Sequence, residues 1–491
     1  MVALRERRGN GASPDDGAAG ARQRVAARAA PRGRRPVRLW LDVEDLFSYA
    51  AHHARPSGVQ RLSGGIAAAL LRDHPGRIGF LRHDRGGEGF RAIAPEAVTA
   101  LHARMASAPG AAPPDPPEAP PDPPSRRLGW LPREIRQPLG RAARAQAAAL
   151  RAQAAALRAG AAALAALPAL RRAGAAARPG AELRGLARPG DVLAAFGSPW
   201  SEPGQPARMA RAAAATGARI ALLVHDMIPL QRPEFCDRAQ IAAFAAHMRA
   251  ALPAADIVFA NSRATAGAIA DWAAREGLAL RDAPCVLPVG LEPLPAPAAL
   301  PDGLREGGYV LMVGTLEARK NHWLAFRAWR RLLAEMPAGS VPPLVFAGRE
   351  GWMVADLLQA LRNCGWLDGM IRWVRDPDDA TLAALYGGCR FTLFPSHVEG
   401  WGLPVTESLA MGRPCVATGQ GAVAEAACGF AVPIDPDDAT GASATLRRLF
   451  EHPEEVAAMA ARIAAGFRAP SWSATAGAIM ARLEAGAPGT A

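Results

Sequence analysis

The sequence predicts an α/β protein made of two doubly wound, Rossmann-like parallel sheets. Three observations carry that prediction. Short apolar runs recur along the chain, each is followed by a stretch with helical spacing in place of a hairpin turn, and the proline- and glycine-rich segment LEPLPAPAALPDGLREGG at 291–308 divides the series in two. Strands buried on both faces read as continuous apolar runs, and the helices that cover them supply the alternation. A chain of 491 residues has room for two or three domains with ample cores.

In order, residues 1–36 hold nine arginines against Glu6, Asp15 and Asp16, with no apolar signal-type stretch, and read as a disordered basic tail. VRLWLDV (37–43) is a buried strand. A loop ending in RPSGVQR leads to a helix over about 59–71, and IGFLRH (78–83) is the second strand. An insertion at about 102–182 then interrupts the pattern. Its residues 108–125 are too proline-rich for a helix or a central strand. In 141–178, Leu150, Leu157 and Leu164 recur at intervals of seven beside Arg144, Arg151 and Arg158, which predicts a long helix, more a spacer than a membrane-surface or self-association helix. VLAAF (192–196), RIALLVHD (219–226), DIVFAN (256–261) and CVLPVG (285–290) complete a first domain over 37–290, with Ser262 placed to cap a helix. After the linker 291–307, YVLMVG (309–314), PLVFAG (343–348), MIRWV (370–374), RFTLFP (390–395) and PCVAT (414–418) give a second domain over 308–475, and 476–491 is a terminal helix that crosses back.

The formal net charge of +12 looks at first like that of a nucleic-acid binder. It sits in two places, however: the tail, and 126–188, where thirteen arginines face only Glu134 and Glu182. The rest of the chain is net negative, so a basic groove for nucleic acid is not expected, whereas the basic extensions suit peripheral contact with an anionic membrane or merely solubility. No apolar stretch reaches transmembrane length. The six cysteines show neither CxxC nor any metal-ligand spacing, which points to reduced core residues in a cytoplasmic protein without a metal.

Two segments carry the chemistry. In FTLFPSHVEGWGLPVTESLAMGRP (391–414) a strand runs into a loop with Glu399, Gly400, Trp401, Gly402 and Leu403, and a helix begins with Glu407 in its first turn. Two glycines permit close backbone approach, a helix start presents free N–H groups to an anion or polyol, and two carboxylates eight residues apart can grip hydroxyls on two parts of one ligand. The second segment is GTLEARKN, where Gly314 ends a strand and Arg319 and Lys320 precede a helix. Lys320 is the single lysine of the chain, in a composition that otherwise replaces lysine by arginine, and a fork plus a point charge at a helix start is suited to a diphosphate. Neither GxGxxG nor a Walker A motif follows a first strand, which removes the main support for dehydrogenase and P-loop readings.

These segments, with VHDMIPL (224–230), FANSRAT (259–265), PLVFAGREGW (343–352), AALYGGCRFTLFPS (383–396) and SWSATA (471–476), resemble the family 4 retaining glycosyltransferases of the GT-B fold. The resemblance implies two Rossmann-like domains facing across a cleft, 37–290 as the acceptor domain and 308–475 as the nucleotide-sugar donor domain. It implies catalytic positions at Glu399, Lys320, Arg319 and His225, and donor-binding positions at Glu407, Gly400, Trp401, Gly402, Leu403, Gly314 and Gly58. Glu407 then meets the ribose, Glu399 the transferred sugar, and Arg319 with Lys320 the diphosphate, without metal or cofactor. Arg61 is a weaker candidate as a solvated first-turn arginine. Glu425 stands where the family has a Pro-Glu pair, here preceded by alanine. RPSGVQR with VHDMIPL leans toward transfer from GDP-mannose to a saccharide or lipid-linked saccharide acceptor of a bacterial surface polysaccharide. A nucleotide-sugar 2-epimerase of the same fold and a catalytically silent scaffold remain alternatives, separable by incubation with a panel of nucleotide sugars.

Overall fold

The computed structural model describes residues 35–84, 89–106 and 181–486; the basic tail up to 34, the proline-rich 108–125 and the Ala/Arg repeats of 141–178 lie outside the described residues. Both sheets belong to one compact unit that begins at Val37. The first contains β1 (Leu39–Asp42), β2 (Ile78–His83), β3 (Phe90–Ile93), β4 (Val192–Ala195), β5 (Arg219–Val224), β6 (Ile257–Ala260) and β7 (Cys285–Val286), in the order β3-β2-β1-β4-β5-β6-β7. The second contains β8 (Val310–Val313), β9 (Leu344–Gly348), β10 (Ile371–Arg375), β11 (Phe391–Phe394), β12 (Cys415–Thr418) and β13 (Val432–Ile434), in the order β10-β9-β8-β11-β12-β13. In both, chain order reverses beside the first strand, the place where a doubly wound sheet opens a crevice at the carboxyl ends of its strands.

The structure departs from the sequence reading at four points. The first sheet is not wholly parallel: β3 pairs antiparallel with β2, Phe80 facing Ile93 and His83 facing Phe90, because the short connection after β2 leaves no room for a crossover. The segment after β1 is not only loop, since Glu44–His52 is helical, with Glu44 and Asp45 in its first turn. Helix Pro95–Ala106 buries Val98, Leu101 and Met105 in the first core, so 102–106 belong to the domain and not to the insertion. Helix Leu403–Ala410 starts earlier than expected, with Gly402 at its N-cap, which puts Glu407 one turn in.

Helix Trp472–Ala485 packs on helix Gly58–Asp73 of the first domain. Trp472 lies so close over Gly65 and Gly290 that a Cβ at either would come within 2.3 and 2.5 Å of its ring. Ala476, Ile479, Met480 and Leu483 share a core with Leu39, Leu41 and Val192. Burying each of the large side chains contributes about 1.5–3 kcal/mol. The end of the chain thus helps to hold the first domain together.

Candidate active site

A cleft of ≈ 640 Å³ lies between the two sheets, lined on one side by Gly58, Arg61, His225 and Asp226 and on the other by Gly314, Arg319, Lys320, Glu399, Gly400 and Glu407. On the second side the site is built by two loops laced together. Ala318–Lys320 form one tight turn after β8, and Asn321, at φ 60, caps helix His322–Glu335 by accepting from Leu324 N–H. The Asn321 amide also donates to the carbonyls of Pro395 (3.2 Å) and Pro436 (2.7 Å), and the Arg319 carbonyl accepts from His397 N–H at 2.9 Å. These bonds fix the turn carrying the cations against the loop carrying Glu399.

Lys320 Nζ donates to Glu399 Oε1 at 2.6 Å, and Arg319 Nη1 lies 2.5 Å from Glu399 Oε2. Arg319 also pairs with Glu317 and donates to the Val398 carbonyl at 2.9 Å. Burial alone favours the protonated Glu399, yet the adjoining Arg319 and Lys320 outweigh it and hold the carboxyl down at about 2. Burial, with Arg319 beside it, pulls the Lys320 ammonium below its ordinary value against the attraction of Glu399. Arg319 is also penalised by burial, but Glu399 and Glu317 more than compensate and keep it charged. Asp226 closes the cluster from the first domain: its Oδ1 accepts from Ile228 N–H at 3.0 Å, and burial raises its pKa.

Glu407 is buried at the cleft floor, where Oε2 accepts from the Tyr386 hydroxyl at 2.8 Å and Oε1 lies 3.2 Å from Arg61 Nη1. Arg61 also pairs with Asp379, so it is a bridge between the two halves and not the solvated arginine the sequence suggested. The glycines divide by cause. Gly400 sits where a Cβ would come within 2.0 Å of the His225 carbonyl oxygen, Gly402 has φ 111 and Gly314 has φ 144 beside the Lys320 stem. Gly58 opens helix Gly58–Asp73 with nothing near its Cβ direction. Trp401 donates from Nε1 to Thr406 Oγ1 at 3.1 Å, and its indole, like Leu403, packs against the hydrophobic core, so its side chain braces the loop.

His225 follows the last residue of β5 at the cleft, with Nε2 donating to the Phe196 carbonyl at 2.9 Å; burial pushes its pKa down to about 4. The ring is therefore neutral at pH 7, a poor proton shuttle but a rigid wall. Glu425, on helix Gly421–Ala427, accepts from the backbone N–H groups of Arg263 (2.9 Å) and Ala264 (2.8 Å), capping helix Arg263–Arg275 across the two halves. Among the described residues, no three His, Cys, Asp or Glu side chains converge as metal ligands, and no helix is long and apolar enough to cross a membrane. Glu317, Asp226, Tyr386 and Asp379 were not singled out in the sequence. The first two stand within two residues of selected positions and were within reach; Tyr386 and Asp379 meet Glu407 and Arg61 only through the fold.

Two Rossmann-like sheets facing a cleft with paired cations at one helix start constitute the GT-B glycosyltransferase architecture. Residues 304–465 of the 491 match the Glycosyl transferases group 1 family. Among curated proteins, the chain is similar to the serotype-specific mannosyltransferase WbdA of Escherichia coli, 27% identical over 215 residues, covering 41% of this chain and 26% of WbdA. It is also similar to the O-antigen chain mannosyltransferase B of Escherichia coli, 34% identical over 137 residues, covering 28% of this chain and 35% of that protein. The chain therefore matches only about a quarter to a third of the length of these relatives. Among solved structures, Anabaena Alr3699/HepE in complex with UDP and glucose has the same fold at 14% identity and a TM-score of 0.53, covering 92% of this chain and 100% of that one.

Proposed function

We propose that the chain is a retaining hexosyltransferase that moves mannose from GDP-mannose to a saccharide or lipid-linked saccharide during surface polysaccharide synthesis, in the cytoplasm or peripherally at the membrane. The observation that carries this reading is the buried Lys320–Glu399–Arg319 cluster at a helix start facing the cleft. Departure of a nucleoside diphosphate develops negative charge, and fixed cations in a site shielded from water stabilise it without reorganising. Lys320 and Arg319 meet the leaving diphosphate; Glu399, too acidic to serve as a proton donor, orients sugar hydroxyls; Glu407 holds the ribose. Glu399 and Glu407 contact different parts of the donor and do not form a glycosidase-type acid/base pair. Attack from the face of the departing phosphate retains configuration, with the phosphate taking the acceptor proton. The reaction uses no cofactor and no metal. The mannosyltransferase relatives and the group 1 domain support the donor class.

The test is turnover and thermal shift with GDP-, UDP-, ADP- and dTDP-sugars, with and without EDTA. Release of GDP from GDP-mannose, unchanged by EDTA and with an α-linked product, is the expected result. Epimerisation, or no turnover of any donor, overturns the proposal, and loss of activity restored by Mg²⁺ overturns its metal independence.

A further inference from the structure

Three residues of the segment after β1 reach across the cleft to the second half, and the proposed reaction uses none of them. Arg55 Nη1 donates to the carbonyls of Asp376 at 3.0 Å and Pro377 at 2.5 Å, and the Tyr49 hydroxyl accepts from Arg349 Nη1 at 3.1 Å. Arg61 divides its fork: Nη2 pairs with Asp379, and Nη1 lies 3.2 Å from Glu407 Oε1. Arg349 follows β9, and Asp376 and Asp379 follow β10, at the opposite edge of the second sheet from β13. The chain itself crosses between the halves twice, side by side, with Leu291 N–H donating to the Pro470 carbonyl at 3.0 Å. The first crossing leaves β7, which has β4, β5 and β6 between it and β1. The arginines therefore tie the cleft at a place other than the covalent crossings.

Of these ties, the one made by Arg61 uses a group the reaction needs. Glu407 Oε2 already accepts from Tyr386, and Arg61 covers Oε1, the oxygen left for a ligand. A ribose donating its hydroxyls to this carboxylate has to come where the guanidinium lies. The two halves of the fork differ in strength. The side chains of Arg61 and Asp379 are 31% and 36% exposed, so that half of the contact is hydrated and weak, whereas the Glu407 side chain is 7% exposed. Asp379 and Tyr386 stand on one helix, Asp379–Gly388, so Asp379 keeps a fixed relation to Glu407. A guanidinium that turns about Asp379 can uncover Glu407 while the backbone of the second half stays still.

We propose that Arg61 is an autoinhibitory clasp. In the unliganded chain it covers the Glu407 oxygen that the ribose requires; an incoming nucleotide displaces it, and Asp379 keeps the displaced guanidinium. The inference rests on the reading of Glu407 as the ribose carboxylate.

The test is calorimetry of the full chain with GDP, UDP, ADP and dTDP, the tightest of the four then being used with the variants. Arg61→Ala is expected to bind that diphosphate about fivefold tighter than wild type, the worth of one partly exposed ion pair. Its thermal midpoint without nucleotide is expected to fall, because Glu407 is left a buried charge with one partner fewer. An arginine with a structural role alone lowers the midpoint without tightening the diphosphate. Asp379→Asn removes the group that keeps the displaced guanidinium, so it is expected to weaken binding in the wild-type background and to change nothing in the Arg61→Ala background. Should Arg61→Ala fail to fold, Arg61→Met, which keeps the apolar stem, takes its place. Affinity unchanged or weaker in the Arg61 variant overturns the clasp. So does an Asp379→Asn loss that persists in the double variant, which puts Asp379 on the nucleotide itself. A diphosphate bound equally well by Glu407→Gln overturns the ribose reading, and a wild type that binds none of the four overturns the glycosyltransferase reading; both results are distinct from failure of the clasp.

Discussion

Lys320 Nζ and Glu399 Oε1 stand 2.6 Å apart across 79 residues of sequence, with both side chains about a tenth exposed. A buried pair of this kind is costly to break from one side, because the remaining charge is left uncompensated, whereas removing both partners is far less harmful. Here Arg319 shares the load, since it holds the other oxygen of Glu399.

That geometry separates stability from turnover. Lys320→Ala is expected to lower the thermal midpoint and to cut sugar-nucleotide turnover on the order of a hundredfold, the scale seen when one charge-stabilising donor is removed. Lys320→Ala/Glu399→Gln is expected to recover much of the midpoint and none of the turnover. Turnover within twofold of wild type in Lys320→Ala would remove Lys320 from the chemistry.

Two buried carboxyls bend the stability curve in opposite senses. Glu399, held at about 2 against an ordinary 4.5, contributes stability that is fully present above about pH 4.5 and lost as pH falls toward 2. Asp45, raised from 3.8 to about 6, acts in reverse, and its contribution is lost as pH rises from about 4 to 6. Urea midpoints across pH 2.5–7 are expected to show Glu399→Gln with a flatter acid limb and Asp45→Asn with a flatter limb between 4 and 6. Parallel curves for wild type and both variants would contradict these ionisations.

Glu425 makes a separable claim about the two halves. Its carboxylate caps helix Arg263–Arg275 from the other side of the interface with two charge-assisted bonds of 2.9 and 2.8 Å. A charged bond of this type is worth about 1.5–3 kcal/mol, reduced here by partial exposure. Glu425→Ala is expected to lower the thermal midpoint by a few degrees and to weaken donor binding by loosening the cleft. A change in neither measurement would leave Glu425 as a surface residue.

The fold was largely legible because a doubly wound sheet writes itself as apolar runs with helical spacers, and YVLMVG, PLVFAG and RFTLFP became β8, β9 and β11. What was missed has physical reasons. The run FRAI of β3 is short, polar at Arg91 and only partly buried, so it lacks the signature of a central strand. Helix Glu44–His52 sits in a segment read as loop because its capping signal is weak: Val43 occupies the N-cap without a side-chain bond. In the site, residues close in sequence were readable as pairs, among them Arg319 with Lys320 and Gly400 with Gly402. Partners such as Arg61 with Glu407, 346 residues apart, or Asp45 with Ser198, 153 apart, exist only once the sheets have folded.

The two glutamates of the loop and helix have different partners, and nucleotide affinity tells them apart. Glu407 is held by Tyr386 and Arg61 at the cleft floor; if its outer face meets ribose, Glu407→Gln weakens binding of GDP alone. Glu399 is held by the two cations assigned to the diphosphate, so Glu399→Gln leaves Lys320 and Arg319 with less negative charge to share. Unscreened in a buried site, that change favours an incoming anion. Calorimetry is therefore expected to show GDP binding severalfold tighter in Glu399→Gln, even as turnover of GDP-mannose falls, and weaker in Glu407→Gln. If both variants lose GDP affinity to the same degree, the division between sugar and ribose is wrong, and Glu399 and Glu407 act as one clamp on the nucleotide.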